Sequence, residues 1–417
     1  MRTMKDSGIE WIGQIPDSWS VEALKRGVKI EMGQSPSSDC YNSDRLGFPF
    51  LQGNADFTDK YPVERIYTTE ANKFSKIGDL LLSVRAPVGA INISDKEYAI
   101  GRGLCSITGN RVKVPFLWYA MEILKRGFDA NSTGSTFESI NTEDVGDAKI
   151  MVPSVTEQFH IADYLDAKCT EIDALIASKE KTNALLRERR QSIIYEAVTK
   201  GLNPDAPMKD SGIEWIGQIP EDWDARKIKY CFKVYAGATP KSGNSEFWDG
   251  DIVWVTPADY TTEQKYISAG RKNITQEGFE SCSTELIPAG SLIFSKRAPI
   301  GLVAINTVDM CTNQGCLSCV PTANNDVEYF YYAFSCFTEQ FDLYGSGTTF
   351  KEISADAFMN FAIPYPAPEA QRQISDYLRG KCAEMDTLIS ANEATIQKLK
   401  EYRQSIIYEA VTGKVEV

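Results

Sequence analysis

At 417 residues the chain has room for two or three domains, each large enough to bury its own core. A hydrophobic fraction of 43% is ordinary for a globular protein, and no apolar run reaches the roughly eighteen residues of a membrane span. With no charged-then-apolar leader at the N-terminus, a cytoplasmic location is expected. The net charge of −13 counts against a nucleic-acid binder unless Lys and Arg gather on one face. Ten cysteines without a framework fit a reducing compartment, where thiols act as small buried hydrophobes.

In chain order, the first feature is MKDSGIEWIGQIP from Met4, which returns letter for letter from Met208. The duplication continues far beyond it. GDLLLSVRAPVGAIN from Gly78 matches GSLIFSKRAPIGLVAIN from Gly290, and GSTFESI from Gly134 matches GTTFKEI from Gly347. DYLDAKCTEIDALI from Asp163 matches DYLRGKCAEMDTLI from Asp376, and RQSIIYEAVT at Arg190 recurs at Arg403. The stretches Glu22 to Lys76 and Ala225 to Ser283 share only short echoes, such as LQGNAD at Leu51 against WVTPAD at Trp254. One scaffold carried twice, with one region allowed to differ, implies two related sites with different preferences.

The variable regions hold short β-branched and aromatic runs broken by Gly, Pro, Asn and Asp, which predict strands and turns, with a short helix from Pro115. Pro-punctuated strands, IMVPSVTEQ and FAIPYPAPEAQ, then lead into long helices. In the first helix Leu165, Cys169, Ile172, Ile176, Lys179, Asn183, Leu186, Arg190, Ile193 and Ala197 follow heptad spacing. Leu378, Cys382, Met385, Ile389, Asn392, Ile396, Leu399, Arg403, Ile406 and Ala410 do so in the second. Each helix has one apolar seam and needs a partner, and the obvious partner is the other helix. A paired rod of about thirty residues per helix measures about 45 Å, the length of about thirteen base pairs.

The combination of MKDSGIEWIGQIP..W, G..L.S.RAP.G, GSTF, a Pro-rich lead-in to a long helix, and RQSIIYEAVTGK resembles the specificity subunit of type I restriction and modification systems, over essentially the whole chain. The resemblance implies an α+β fold: a tandem duplication of a β-rich target recognition domain followed by a long helix, the two long helices pairing as an antiparallel coiled coil. The expected division is 1–155 for the first recognition domain with its N-terminal segment, 156–207 for the central helix and linker, 208–367 for the second recognition domain and 368–417 for the C-terminal helix. It also implies a function: sequence-specific reading of a bipartite, asymmetric target in double-stranded DNA. The partners implied are two methyltransferase subunits and, through them, the restriction subunits. The alternative is a duplicated β-domain adaptor for protein or carbohydrate.

Catalytic signatures are not found. The single histidine, His160, faces Gln373 in the other copy; there is no GxxxxGK[ST] loop and no Asn/Asp-Pro-Pro-Tyr/Phe segment. CLSC from Cys316, with Cys311 and Cys282 near, has a metal-like spacing, yet Cys316 and Cys319 align with the core residues Leu104 and Ile107. A non-catalytic chain without cofactor or metal is expected.

Candidates for reading DNA follow from side-chain chemistry. Arg85 and Arg297, in the matched RAP turns, suit a guanine or a phosphate, or else brace the turn through carbonyls. Ser135, Thr136, Thr348 and Thr349 form small polar loops that suit phosphates or, equally, cap a helix. Specificity is expected where the copies differ: Gln34, Ser35, Gln52, Asn54 and Arg102 in the first, and Thr239, Lys241, Thr256, Asp259, Gln314 and Lys351 in the second. The expected coiled-coil seam is Ile172, Ile176, Leu186 and Ile193 against Met385, Ile389, Ile396, Leu399 and Ile406.

Overall fold

The structure is a computed structural model that describes residues 2–10, 12–130, 139–322, 324–347 and 351–417. Four helices carry the argument: α1 (Val114–Ala130), α2 (Val155–Lys200), α3 (Val327–Cys336) and α4 (Pro368–Val411). Contacts divide the chain into two units, Met1–Glu180 with Glu393–Val417, and Lys181–Asn392. Each unit therefore combines one duplicated domain with the start of one long helix and the end of the other.

In the first unit the repeated segment is a hairpin, Met4–Asp6 against Gln14–Pro16. Gly8 and Gly13 turn it with φ of 71° and 70°, and the Asp6 carboxylate accepts the Gly8 amide at 2.9 Å. The hairpin drives Ile12, Ile15 and Trp19 into the core, where they meet the end of α4. A Cβ on Gly413, just past that helix end, would sit 2.5 Å from the Pro16 ring and 2.9 Å from Trp19, so only glycine fits. Two sheets follow. The first runs β1 (Val28–Met32), with β5 (Leu104–Gly109) next to it, then β3 (Leu80–Ser83) and Ile91–Ile93, all antiparallel. The second is built on β2 (Phe48–Leu51), which pairs in parallel with β4 (Ala99–Ile100). A turn at residues 101–103 carries the chain from one sheet to the other.

The second unit repeats the plan. Its hairpin joins Met208–Asp210 to Gln218–Pro220 and receives the end of α2, with Gly201 against Trp223. Its strands are β6 (Phe232–Ala236), β7 (Trp248–Val255), β8 (Leu292–Ser295), β9 (Cys311–Thr312) and β10 (Cys316–Pro321). The order is β6, β10, β8 in one sheet, and β7 beside β9 in the other, again in parallel. Cys316 and Cys319 occupy β10 as fully buried core residues, and burial pushes the Cys316 thiol up to about 12. Among the described residues no group of His, Cys, Asp and Glu has metal-binding geometry.

The long helices pair within each unit. In the first, Leu165, Cys169, Ile172 and Ile176 of α2 share a core with Ile396, Ile406 and Ala410 of α4 and with Phe116, Ala120 and Ile123 of α1, Leu399 packing at its edge. Full burial of each such isoleucine contributes roughly 1.5–3 kcal/mol. In the second, Ile194, Ala197 and Val198 of α2 pack with Leu378 and Cys382 of α4, while Ile193, Leu186 and Met385 are half-buried and Ile389 is buried. The Asn392 side-chain Nδ2 donates to the Asn183 side-chain Oδ1 at 2.8 Å, and Arg190 lies 3.6 Å from Asp386. Partners thus descend α4 as α2 ascends, which makes the pairing antiparallel. The polar seam residues cost stability but admit one register. Arg403 reaches past the seam to Asp173 at 3.1 Å and to Glu122 of α1 at 3.4 Å, tying a domain to its helix pair.

Candidate nucleic-acid interface

The variable residues are brought together where the two sheets of each unit meet. In the first unit, β1 ends at Met32 and Gly33 crosses over the turn between the sheets. Its amide donates to the Leu104 carbonyl and that of Gln34 to Ile100, both at 2.9 Å. A Cβ on Gly33 would stand 2.2 Å from the Gly101 carbonyl oxygen, so the crossing requires glycine. Ser35 is then fixed by accepting the Arg102 amide at 3.1 Å, and Gln52 backs onto Gly101 and Gly103. The Val84 amide donates to the Gly103 carbonyl at 2.9 Å, which sets Arg85 beside the same turn. Gln34, Gln52, Arg85 and Arg102 are exposed and Asn54 is half-buried at the start of a short 3-10 turn. Six of the sequence candidates, Ser35 included, thereby occupy one rim.

The second unit builds the same frame. The Ala238 amide donates to Thr312 at 2.9 Å, the Lys296 amide to Gly315 at 2.9 Å, and Gly237 passes over the Asn313 carbonyl. Thr239 and Gln314 stand where Ser35 and Arg102 stand, and the threonine hydroxyl donates to the glutamine side-chain oxygen. Lys241 is exposed beside them. The shared frame has a sequence signal that composition hid: Gly33-Gln34-Ser35-Pro36 and Gly237-Ala238-Thr239-Pro240 are one pattern, G-x-[ST]-P.

Three candidates take other parts. The Asp259 side chain is only 3% exposed. It accepts the Thr256 amide and hydroxyl, both at 2.7 Å, and the Arg271 amide at 3.0 Å, so Thr256 and Asp259 form a capping box rather than an outward reader. Lys351 is held by Asp342 at 2.5 Å. Ser135, Thr136, Thr348 and Thr349 lie outside the described residues.

The RAP turns show what braces them. The Ser83 hydroxyl lies 2.9 Å from the Arg85 carbonyl oxygen and 2.6 Å from that of Pro87. Ser295 stands likewise at 2.8 and 2.9 Å from those of Arg297 and Pro299. The serine of S-x-R-A-P, not the arginine, holds the turn, and the guanidinium is left to other partners. Arg85 makes no side-chain hydrogen bond or ion pair among the described residues. Arg297 donates from Nε to Glu352 at 2.7 Å, and that bond, with the Lys296 and Arg297 charges, holds the Glu352 carboxyl below its ordinary range.

A pair of matched clefts lies away from these rims. One, of about 760 Å³, is bounded by Met208 and Gln218 of the hairpin and Gly201 to Pro204. The other, of about 650 Å³, is bounded by Met4, Gln14 and Gly413 to Glu416. Each is bounded by the same two positions of the repeated hairpin, Met4 and Gln14 or Met208 and Gln218, and by the chain that leaves a long helix at Gly413 or Gly201.

Comparison with known proteins agrees with this duplication. Residues 16–186 and 220–400 each match the family described as Type I restriction modification DNA specificity domain. The MjaIX specificity subunit of Methanocaldococcus jannaschii is 41% identical over 166 residues, 39% of this chain and 38% of that one. The MjaX specificity subunit of the same organism is 39% identical over 192 residues, again under half of either chain at 45% and 44%. The EcoDI specificity subunit of Escherichia coli aligns over 97% of this chain and 90% of its own at 21% identity. Among solved structures, a chain from work on assembly and conformational transition of the type I R-M system superposes with a TM-score of 0.79. It covers 96% of this chain and 99% of that one at 18% identity, a likeness of fold. The HsdS subunit of Thermoanaerobacter tengcongensis superposes at 0.56 over 96% and 98%, with 18% identity. With both halves matched over more than half of its length, the chain belongs to the type I restriction-modification specificity family.

Proposed function

We propose that this chain is the DNA-recognition subunit of a type I restriction-modification complex, reading one half of a split, asymmetric target with each rim. The observation that carries this is one backbone frame built twice with different side chains: Ser35 and Arg102 in the first unit, Thr239 and Gln314 in the second. An amide or guanidinium fork on a rigid turn is the chemistry that distinguishes base edges in the major groove. The matched hairpin clefts support the second half of the reading, in which two identical methyltransferase subunits dock on equivalent surfaces and restriction subunits follow through them. Catalysis belongs to those partners, and this chain supplies recognition.

Replacing Glu22–Lys149 by the equivalent segment of another family member tests the proposal. Glu22 and Lys149 lie on neighbouring antiparallel strands, Ala23 opposite Lys149 and Glu22 opposite Ile150, so the graft begins and ends at one place. Only one half of the methylated motif is expected to change. A change in both halves would contradict independent reading.

A further inference from the structure

The two matched arginines stand on the same backbone with different neighbours. Arg85 bridges Ser139, and Arg297 bridges Glu352, each as an isolated antiparallel contact. The next amide, of Ile140 or Ile353, donates to Val84 or Lys296 at 2.9 Å in both units. Residue for residue, Glu352 replaces Ser139. It is held firmly, exchanging both backbone hydrogen bonds with Ser346 at 2.9 and 3.0 Å, and its carboxylate has Lys296 at 4.0 Å as well as Arg297 at 2.7 Å.

We infer that the two arginines do different work, and that Glu352 is the positioning residue that makes the difference. The inference rests on the DNA-reading proposal above. A phosphate accepts a guanidinium from many directions, so an Arg85 with no side-chain partner among the described residues suffices for affinity. A guanine is read by two parallel N–H donors at fixed angles, so the fork must be oriented. Glu352 binds Arg297 through Nε and leaves the terminal nitrogens without a hydrogen-bond partner among the described residues, while removing much of the rotamer freedom that an arginine otherwise loses on binding. Its negative charge also weakens Arg297 as a phosphate partner. Arg297 is thereby assigned as a guanine reader in the half-site of the second unit, and Arg85 as a backbone contact in that of the first.

The test compares methylated-adenine maps from the complete complex carrying single substitutions. Arg297→Lys keeps the charge and loses the fork, and Glu352→Ser installs the residue of the first unit. Each is expected to make one G·C position of one half-site degenerate, by about tenfold or more, while Glu352→Gln, which keeps an acceptor for Nε, stays sharper than Glu352→Ser. Arg85→Lys is expected to leave the motif intact, and Arg85→Ala to lower methylation at all sites alike and flatten the salt dependence by about one unit of slope. A motif that stays sharp in both Arg297→Lys and Glu352→Ser overturns the inference, as does an Arg297→Ala complex that behaves like Arg85→Ala. A wild-type complex that marks no two-part motif overturns the DNA-reading proposal itself, and the inference with it.

Discussion

Two glutamines near the helix starts show how much a single side chain does here. Gln371 accepts the Asp326 amide at 2.9 Å and donates to the Pro366 carbonyl at 2.9 Å, fully buried at the start of α4. Gln158 does the same at the start of α2, with Lys113, Arg111 and Pro153. Each welds a recognition domain to the helix that follows it. Gln371→Ala strands the buried Pro366 carbonyl, at roughly 1–3 kcal/mol, and the part-buried Asp326 amide, which costs less. A clear fall in the chemical-denaturation midpoint is expected, whereas the exposed Gln373→Ala should change it little; equal midpoints would contradict the weld. In the sequence, the unequal pair His160 and Gln373 drew attention, although both are exposed and the working residues lie two positions earlier. A glutamine that is buried and one that is solvated look alike in a sequence, and only the backbone groups it meets tell them apart. The same limit explains Asp259, whose polar chemistry suited a reader until its carboxylate proved to be enclosed by Thr256 and Arg271.

At the scale of elements, the long helices were legible because heptad spacing survives any local context: Ile172, Ile176, Ile389, Ile396 and Ile406 are all buried, while Leu175, Leu185 and Leu388 outside the pattern are 49%, 56% and 54% exposed. The repeated hairpin was legible as a repeat, but its task was not. Trp223 receives the end of the helix just before it, but Trp19 receives the end of α4 from the other end of the chain, a pairing that no local pattern encodes. The junction between α3 and α4 was also hidden. Burial raises the Glu328 pKa, but hydrogen bonds from Tyr266, Arg379 and Lys265 outweigh it and leave the group below the ordinary 4.5. Burial also lowers Lys265, and its bond to Glu328 offsets only part of that, an effect confined to alkaline pH. A depressed carboxyl pKa contributes stability that is complete above about 4.5 and is lost as pH falls through the folded-state value. Urea midpoints measured from pH 6 to pH 3 should therefore fall less steeply in Glu328→Gln than in the wild type. Parallel curves would remove Glu328 from the acid response.

For the whole molecule, an acidic chain is proposed to bind an acidic polymer. The net charge of −13 is an average over the chain, and Arg85, Arg102 and Lys241 are exposed cations at the rims. The methyltransferase partners are proposed to complete the phosphate grip, so the isolated chain is expected to bind DNA weakly. Each long helix contributes to both units, and its length is proposed to set the spacer between half-sites. Removing one heptad from α2 and the antiparallel heptad from α4 takes away about 10 Å, so a spacer shortened by about three base pairs is expected with both half-sites unchanged; an unaltered spacer would contradict this. The most direct test is to express the chain with its methyltransferase and map methylated adenines across the genome by single-molecule sequencing. Two short defined sequences flanking an undefined spacer are the result expected of two rims that share a frame and differ in side chains. No methylation from an assembled complex, or a single undivided motif, would contradict the reading of a split target.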